Sequence, residues 1–185
     1  MFKVLSASLA VALFCVAAAP QAASDPGRAE SPLETVAQST STPEQLARFL
    51  NARLIFQEDL ALFGQTDYWQ TPEEVLVRGR GDCEDYALLA NDLLKRQGKK
   101  SFVFSLYGPR GYAHTVCVFV EGGRFNLMNQ DRLIRTQAAS LEELADELCR
   151  DWEWGAVAEQ NGHRGRAVQI VRRETATRRP SPSSS

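Results

Sequence analysis

The chain has 185 residues, 44% of them hydrophobic, and a formal net charge of -2. That length holds one domain plus tails, with enough apolar material for an ordinary core. A near-neutral balance gives no electrostatic footprint for a nucleic-acid partner.

Lys3 precedes an almost wholly apolar run, Val4 to Ala19, and then small residues around Pro20 to Ser24. This is the layout of a secretory signal over 1–24, too short for a comfortable transmembrane helix. Bulky Phe14 ahead of Cys15 argues against a lipoprotein cleavage site. The expectation is an exported product, periplasmic or secreted, with no stable membrane span after cleavage. Residues 25–41, rich in Ser, Thr, Pro, Ala and Gln, read as a flexible linker.

The folded domain is expected over 42–171. Thr42-Pro43-Glu44-Gln45 carries an N-cap, a first-turn proline and a capping Gln, so a helix should follow. Leu46, Phe49, Leu50, Leu54, Phe56 and Leu60 give it a buried stripe until Gly64. Thr71-Pro72-Glu73-Glu74 repeats the signature for a short helix ending near Gly79, and Ser140-Leu141-Glu142-Glu143 repeats it again. Between them the apolar period turns to alternation. Phe102–Tyr107, Ala113–Glu121 and Arg124–Asn129 read as strands, the last two joined by a Gly122-Gly123 hairpin turn. Ala167–Val171 is a further strand candidate before a basic, disordered tail over 172–185. Helices first and an antiparallel sheet second indicate an α+β domain.

Arg80-Gly81-Asp82-Cys83-Glu84-Asp85-Tyr86 is the chemically suggestive stretch. Tyr86, Leu89, Ala90, Leu93 and Leu94 recur at helical steps and Gly98 supplies a stop. With Asp82 as N-cap, Cys83 opens the helix, where free amides and the dipole favour an anion. A thiolate is the nucleophilic form of cysteine, and a helix N-terminus is one place where it is stabilised. Against this, Glu84 and Asp85 disfavour a second negative charge. A small buried core residue is the competing reading of Cys83.

The hairpin turn fixes a register. Counting back from Glu121 opposite Arg124 pairs Val116 with Asn129 and His114 with Asp131. Asn129 and Asp131 then share a face with His114, and either could orient its imidazole as a general base needs. Cys117 falls on the opposite face. Without the signal, three cysteines remain, and a Cys117–Cys149 disulfide with Cys83 free suits an oxidising compartment. No CxxC or HxxxH spacing suggests a zinc site.

These residues resemble the transglutaminase-like cysteine enzymes, especially the bacterial transglutaminase-like cysteine peptidases. The resemblance runs from about residue 45 to 135. It rests on Tyr68-Trp69-Gln70-Thr71-Pro72-Glu73-Glu74-Val75-Leu76, Gly79 to Ala87, Ala113-His114 and Phe125-Asn126-Leu127-Met128-Asn129. It implies a papain-like α+β fold, with a cysteine helix packed on an antiparallel sheet that carries the histidine and its acid. It also implies Cys83 as nucleophile and His114 as base, with Asn129 standing where most members have aspartate. Some members bind calcium through acids flanking the cysteine, which maps onto Asp82 and Glu84; a cap and a solvated side chain are the alternative roles. Trp69 would line the site. The expected activity is a thiol peptidase or amidase acting on a peptide or protein, with acyl transfer to an amine or a non-catalytic binding domain as alternatives.

Overall fold

The computed structural model describes residues 31–173. The expected signal, the first six linker residues and the tail beyond Arg173 lie outside the described residues.

Six helices and eight strands follow in chain order. Helix α1 (Pro32–Ser39) and helix α2 (Pro43–Arg53) both begin with a capping box and a first-turn proline. Strand β1 (Ile55–Phe56), helix α3 (Asp59–Phe63), helix α4 (Pro72–Arg78) and strand β2 (Arg80–Gly81) lead into helix α5 (Cys83–Arg96). Then come β3 (Lys100–Tyr107), β4 (Ala113–Glu121), β5 (Arg124–Asn129), β6 (Arg132–Ile134), helix α6 (Leu141–Leu148), β7 (Trp154–Asn161) and β8 (Arg164–Arg172). The six later strands form one antiparallel sheet in the order β6-β5-β4-β3-β7-β8.

Two apolar clusters sandwich that sheet. On one side Leu46, Leu50, Leu89, Leu93 and Leu94 of α2 and α5 pack on Val103, Cys117, Phe119 and Met128. On the other, Leu141, Leu144 and Ala145 of α6 and Trp152 cover Phe104, Leu106, Val116, Val118 and Leu127. Each fully buried leucine contributes roughly 1.5–3 kcal/mol by leaving water. The expected α+β layering is what forms, and among the described residues no helix is long and apolar enough to cross a membrane.

Four expectations need correction. Residues 32–39 form a helix inside the stretch read as linker: Glu34 N donates to Ser31 Oγ at 3.2 Å, Ser31 N donates back to Glu34 Oε2 at 2.9 Å, and Leu33 is buried. Helix α2 stops at Arg53 instead of running to Gly64, because residues 55–57 give their amides to the chain beside α5. Ile55 N donates to Gly79 O and Gln57 N to Gly81 O, leaving Phe56 and Leu60 exposed. The strand read as Ala167–Val171 extends over Arg164–Arg172 and pairs with β7, so the tail begins later than residue 172. Finally, all three described cysteines are free, with Cys117 in the cluster under α5 and Cys149 against the cluster under α6. Opposite faces of a sheet hold them too far apart for an S–S bond.

Candidate active site

Helix α5 starts where the chain leaves β2. Gly81 is required there: a Cβ would stand 2.2 Å from Asp85 Oδ2. Asp82 occupies the N-cap and its backbone N–H donates to Asp85 Oδ2 at 3.3 Å. The first turn therefore buries Asp82, Glu84 and Asp85 together, and Asp59 of α3 joins them, also buried.

Asp59, Asp82 and Asp85 each bring a carboxylate oxygen within 4.8 Å of the others, as do Asp82 and Glu84 with the Cys83 sulfur. Gln70 satisfies Asp85, donating its backbone N–H to Oδ1 at 2.8 Å and its amide to Oδ2 at 2.6 Å. Asp59 accepts from Tyr68 N. Asp59 Oδ1 and Asp82 Oδ1 stay buried with no partner. Burial pushes Asp82 up to about 9, with Glu84, Asp59 and Asp85 adding like-charge repulsion. Burial likewise lifts Asp85 to about 6 and Asp59 above its ordinary value. Buried carboxylates without a cation are costly, so this geometry suits a hard divalent ion held by oxygen. Asp82 is common to two candidate groups, one with Glu84 and the Cys83 sulfur and one with Asp59 and Asp85.

The Cys83 thiol donates to Glu84 Oε2 at 3.1 Å. Burial raises it well above the ordinary thiol range, Glu84 adds to this, and the backbone amide of Thr115 pulls the other way. That amide has a reason to be free. Cys117, Phe119 and Glu121 pair with Met128, Asn126 and Arg124 of β5. In a two-residue hairpin these are the hydrogen-bonded pairs. The same alternation turns the Thr115 N–H toward β5, but β5 ends at Asn129 and the chain turns off at Gln130, φ 52°. The sulfur stands in the gap this leaves in the ladder.

His114 and Asn129 bracket the same gap. His114 Nε2 lies 2.8 Å from Asn129 Oδ1. An amide oxygen only accepts, so Nε2 carries the hydrogen and Nδ1 keeps a lone pair. Asp131 does not share this role: its Oδ2 accepts from Asn51 Nδ2 of α2 at 2.6 Å. Among the described residues no hydrogen bond joins Cys83 to His114, and the thiol is held by Glu84 instead. Trp69 is buried next to Gln70 but against the β7–β8 turn, its Nε1 donating to Asp67 Oδ1 at 2.9 Å.

Sequence reasoning missed Asp59, Asp85 and Gln70. Asp85 had a signal, since it stands three residues after the N-cap where a reciprocal cap belongs. Asp59 had none, because it arrives through the break in α2.

Comparison with known proteins finds similar solved structures and a matching family. A candidate cysteine protease from Cytophaga hutchinsonii superposes with a TM-score of 0.40 at 15% identity, over 50% of this chain and 32% of that one. This chain thus spans about a third of that protein's length. Legionella pneumophila LapG gives 0.46 at 19% identity, over 66% of this chain and 69% of that one. A LapG structure described as calcium-bound gives 0.43 at 16%, over 78% and 90%. No curated protein matches. The family described as bacterial transglutaminase-like cysteine proteinase, BTLCP, matches residues 2–141, well over half of the sequence, and the chain belongs to it.

Proposed function

We propose that the protein is an exported cysteine peptidase that cleaves peptide bonds of a protein substrate through Cys83, with His114 as base and Asn129 as the group that orients it. The observation carrying this is the ladder gap: the Cys83 sulfur beside the Thr115 amide, flanked by an imidazole whose Nε2 is fixed on Asn129 at 2.8 Å. A turn about the Cα–Cβ bond takes the thiol from Glu84 toward the Nδ1 lone pair. His114 then accepts the thiol proton, and the sulfur attacks the carbonyl carbon of the substrate. The imidazolium returns that proton to the departing amine as the C–N bond breaks, leaving a thioester. Water, deprotonated by His114, hydrolyses the thioester and restores the thiol.

Calcium fits the acid cluster. Asp82 would hold it together with Glu84 or with Asp59 and Asp85, and when bound it would supply positive charge among these carboxylates. The proton shared between Cys83 and Glu84 marks a resting arrangement in which the thiol is unreactive.

That same bond favours a second reading, a binding domain that keeps the scaffold without catalysis. Labelling Cys83 with a small electrophile in calcium buffer separates them. Rapid labelling that depends on His114 supports the enzyme; labelling at the rate of an ordinary free thiol supports the binding domain. For the peptidase itself, Cys83→Ser assayed on quenched-fluorescence peptide mixtures is expected to lose activity by about 10³-fold or more. Undiminished cleavage removes Cys83 from the mechanism.

A further inference from the structure

The sheet face under α5 also carries a cleft of about 220 Å³ that the catalytic residues do not use. Its position follows from strand register. Ala156, Ser105 and Thr115 are partners across β7, β3 and β4, and so are Trp154, Tyr107 and Ala113 in the next row. Partners directly opposite project from the same face. Two strand spacings, about 10 Å, separate Ala156 from Thr115, and the sulfur stands beyond Thr115 where a β5 partner would lie, about 14 Å from Ala156 in all. At about 3.3 Å per extended residue, that is about four residues along a bound peptide.

The floor is made of small side chains, Ala156, Ala158 and Ala167, and the walls are aromatic. Tyr107 and Trp154 stack with centroids 3.8 Å apart. The Trp69 ring lies against Gly165, where a Cβ would come within 2.3 Å of it. The β7–β8 turn holds Trp69 there: Trp69 N donates to His163 O at 3.1 Å, and Gln160 Nε2 donates to Trp69 O at 3.0 Å. Asp67 stands exposed at the mouth, and among the described residues no lysine or arginine lines the cleft. Burial raises the Tyr107 hydroxyl, a hydrogen bond from Ser105 lowers it, and the charges of Asp67 and Glu84 raise it further. Aromatic faces around a carboxylate are the chemistry that recognises a cation. The β7 and β8 strands lie beyond the residues matched to the family.

We propose that this cleft is the specificity pocket, taking a lysine or arginine side chain about four residues from the bond that Cys83 cleaves. The assignment rests on the peptidase reading above. Trp69, Tyr107 and Trp154 grip the side chain, and Asp67 pairs with its charged end.

The test uses the full chain in calcium buffer with quenched-fluorescence peptides carrying Lys, Arg, Leu or Glu singly at each of four positions either side of the cleavage point. A basic residue at one position should raise kcat/KM at least 10-fold over Leu, with Glu lowest, and Asp67→Asn or Ala156→Leu should remove most of that preference. Cleavage that favours Leu, or that ignores all four, overturns the pocket and leaves the peptidase standing. A parallel titration with arginine amide reads tryptophan fluorescence and needs no turnover. A change lost in Ala156→Leu, in a protein that cleaves nothing, keeps the cationic pocket and overturns the peptidase reading; no change and no cleavage overturn both.

Discussion

The two ends of helix α5 obey opposite rules. Its later turns bury Leu89, Ala90, Leu93 and Leu94 at or near zero exposure and close with Lys95 and Arg96 at the negative end of the dipole. Its first turn buries Asp82, Glu84 and Asp85 around a protonated thiol, with Asp59 close by and two carboxylate oxygens unpartnered. One end supplies stability and the other spends it on a site. Such conflict between local preference and tertiary placement concentrates where proteins do chemistry.

Removing an isopropyl group from the quiet end should cost the most. Leu93→Ala leaves a cavity under α2 and is expected to destabilise by about 2–5 kcal/mol, read from urea midpoints. At the crowded end the sign should reverse. Asp82→Asn replaces a carboxyl that must take up a proton to fold at neutral pH, so the metal-free protein should gain about 1–3 kcal/mol there, while stabilisation by added calcium should largely vanish. A loss of stability in Asp82→Asn without metal would erase the contrast between the two ends.

pH sharpens the same comparison. Between the ordinary carboxylate range and about 9, Asp82 keeps its proton in the folded chain and loses it in the unfolded one. Asp85 does so up to about 6. The unfolded state binds fewer protons in that window, so stability falls as pH rises, by at most about 1.4 kcal/mol per unit for each group. Metal-free protein should therefore unfold at lower urea at pH 8.5 than at pH 5.5, and calcium should narrow the gap. The smallest effect belongs to the exposed pair at the far end of the helix. Arg96 Nε contacts Asp92 Oδ2 at 2.5 Å one turn away, and Arg96→Ala should cost only about 0.3–0.5 kcal/mol.

Much of this molecule is written locally. Thr42, Thr71 and Ser140 mark their helices through side-chain oxygens that capture first-turn amides, and Gly122-Gly123 takes the two positive φ values its turn needs. That turn alone put His114 and Asn129 on one face. Ser31-Pro32-Leu33-Glu34 carries the same helix signature and was hidden by the polar composition around it. The Asn161-Gly162 step likewise marks the β7–β8 hairpin that composition obscured. What no local pattern reveals is the end of α2, since only the distant amide acceptors at Gly79 and Gly81 make residues 55–57 extended. Asp59 depends on that detour, and so does the second half of the acid cluster. The choice between Asn129 and Asp131 was also nonlocal, decided by Asn51 reaching across from α2.

Strand order has a consequence for how the protein is made. β3 is paired on one side by β4, which follows at once, and on the other by β7, which emerges from the ribosome more than forty residues later. Until then one margin of the sheet is an open template for foreign strands, and the indole at position 69 has nothing to rest on. Strands β3 to β5 and the thiol helix that packs on them are therefore complete in sequence before the cleft beside Trp69, whose far wall arrives last.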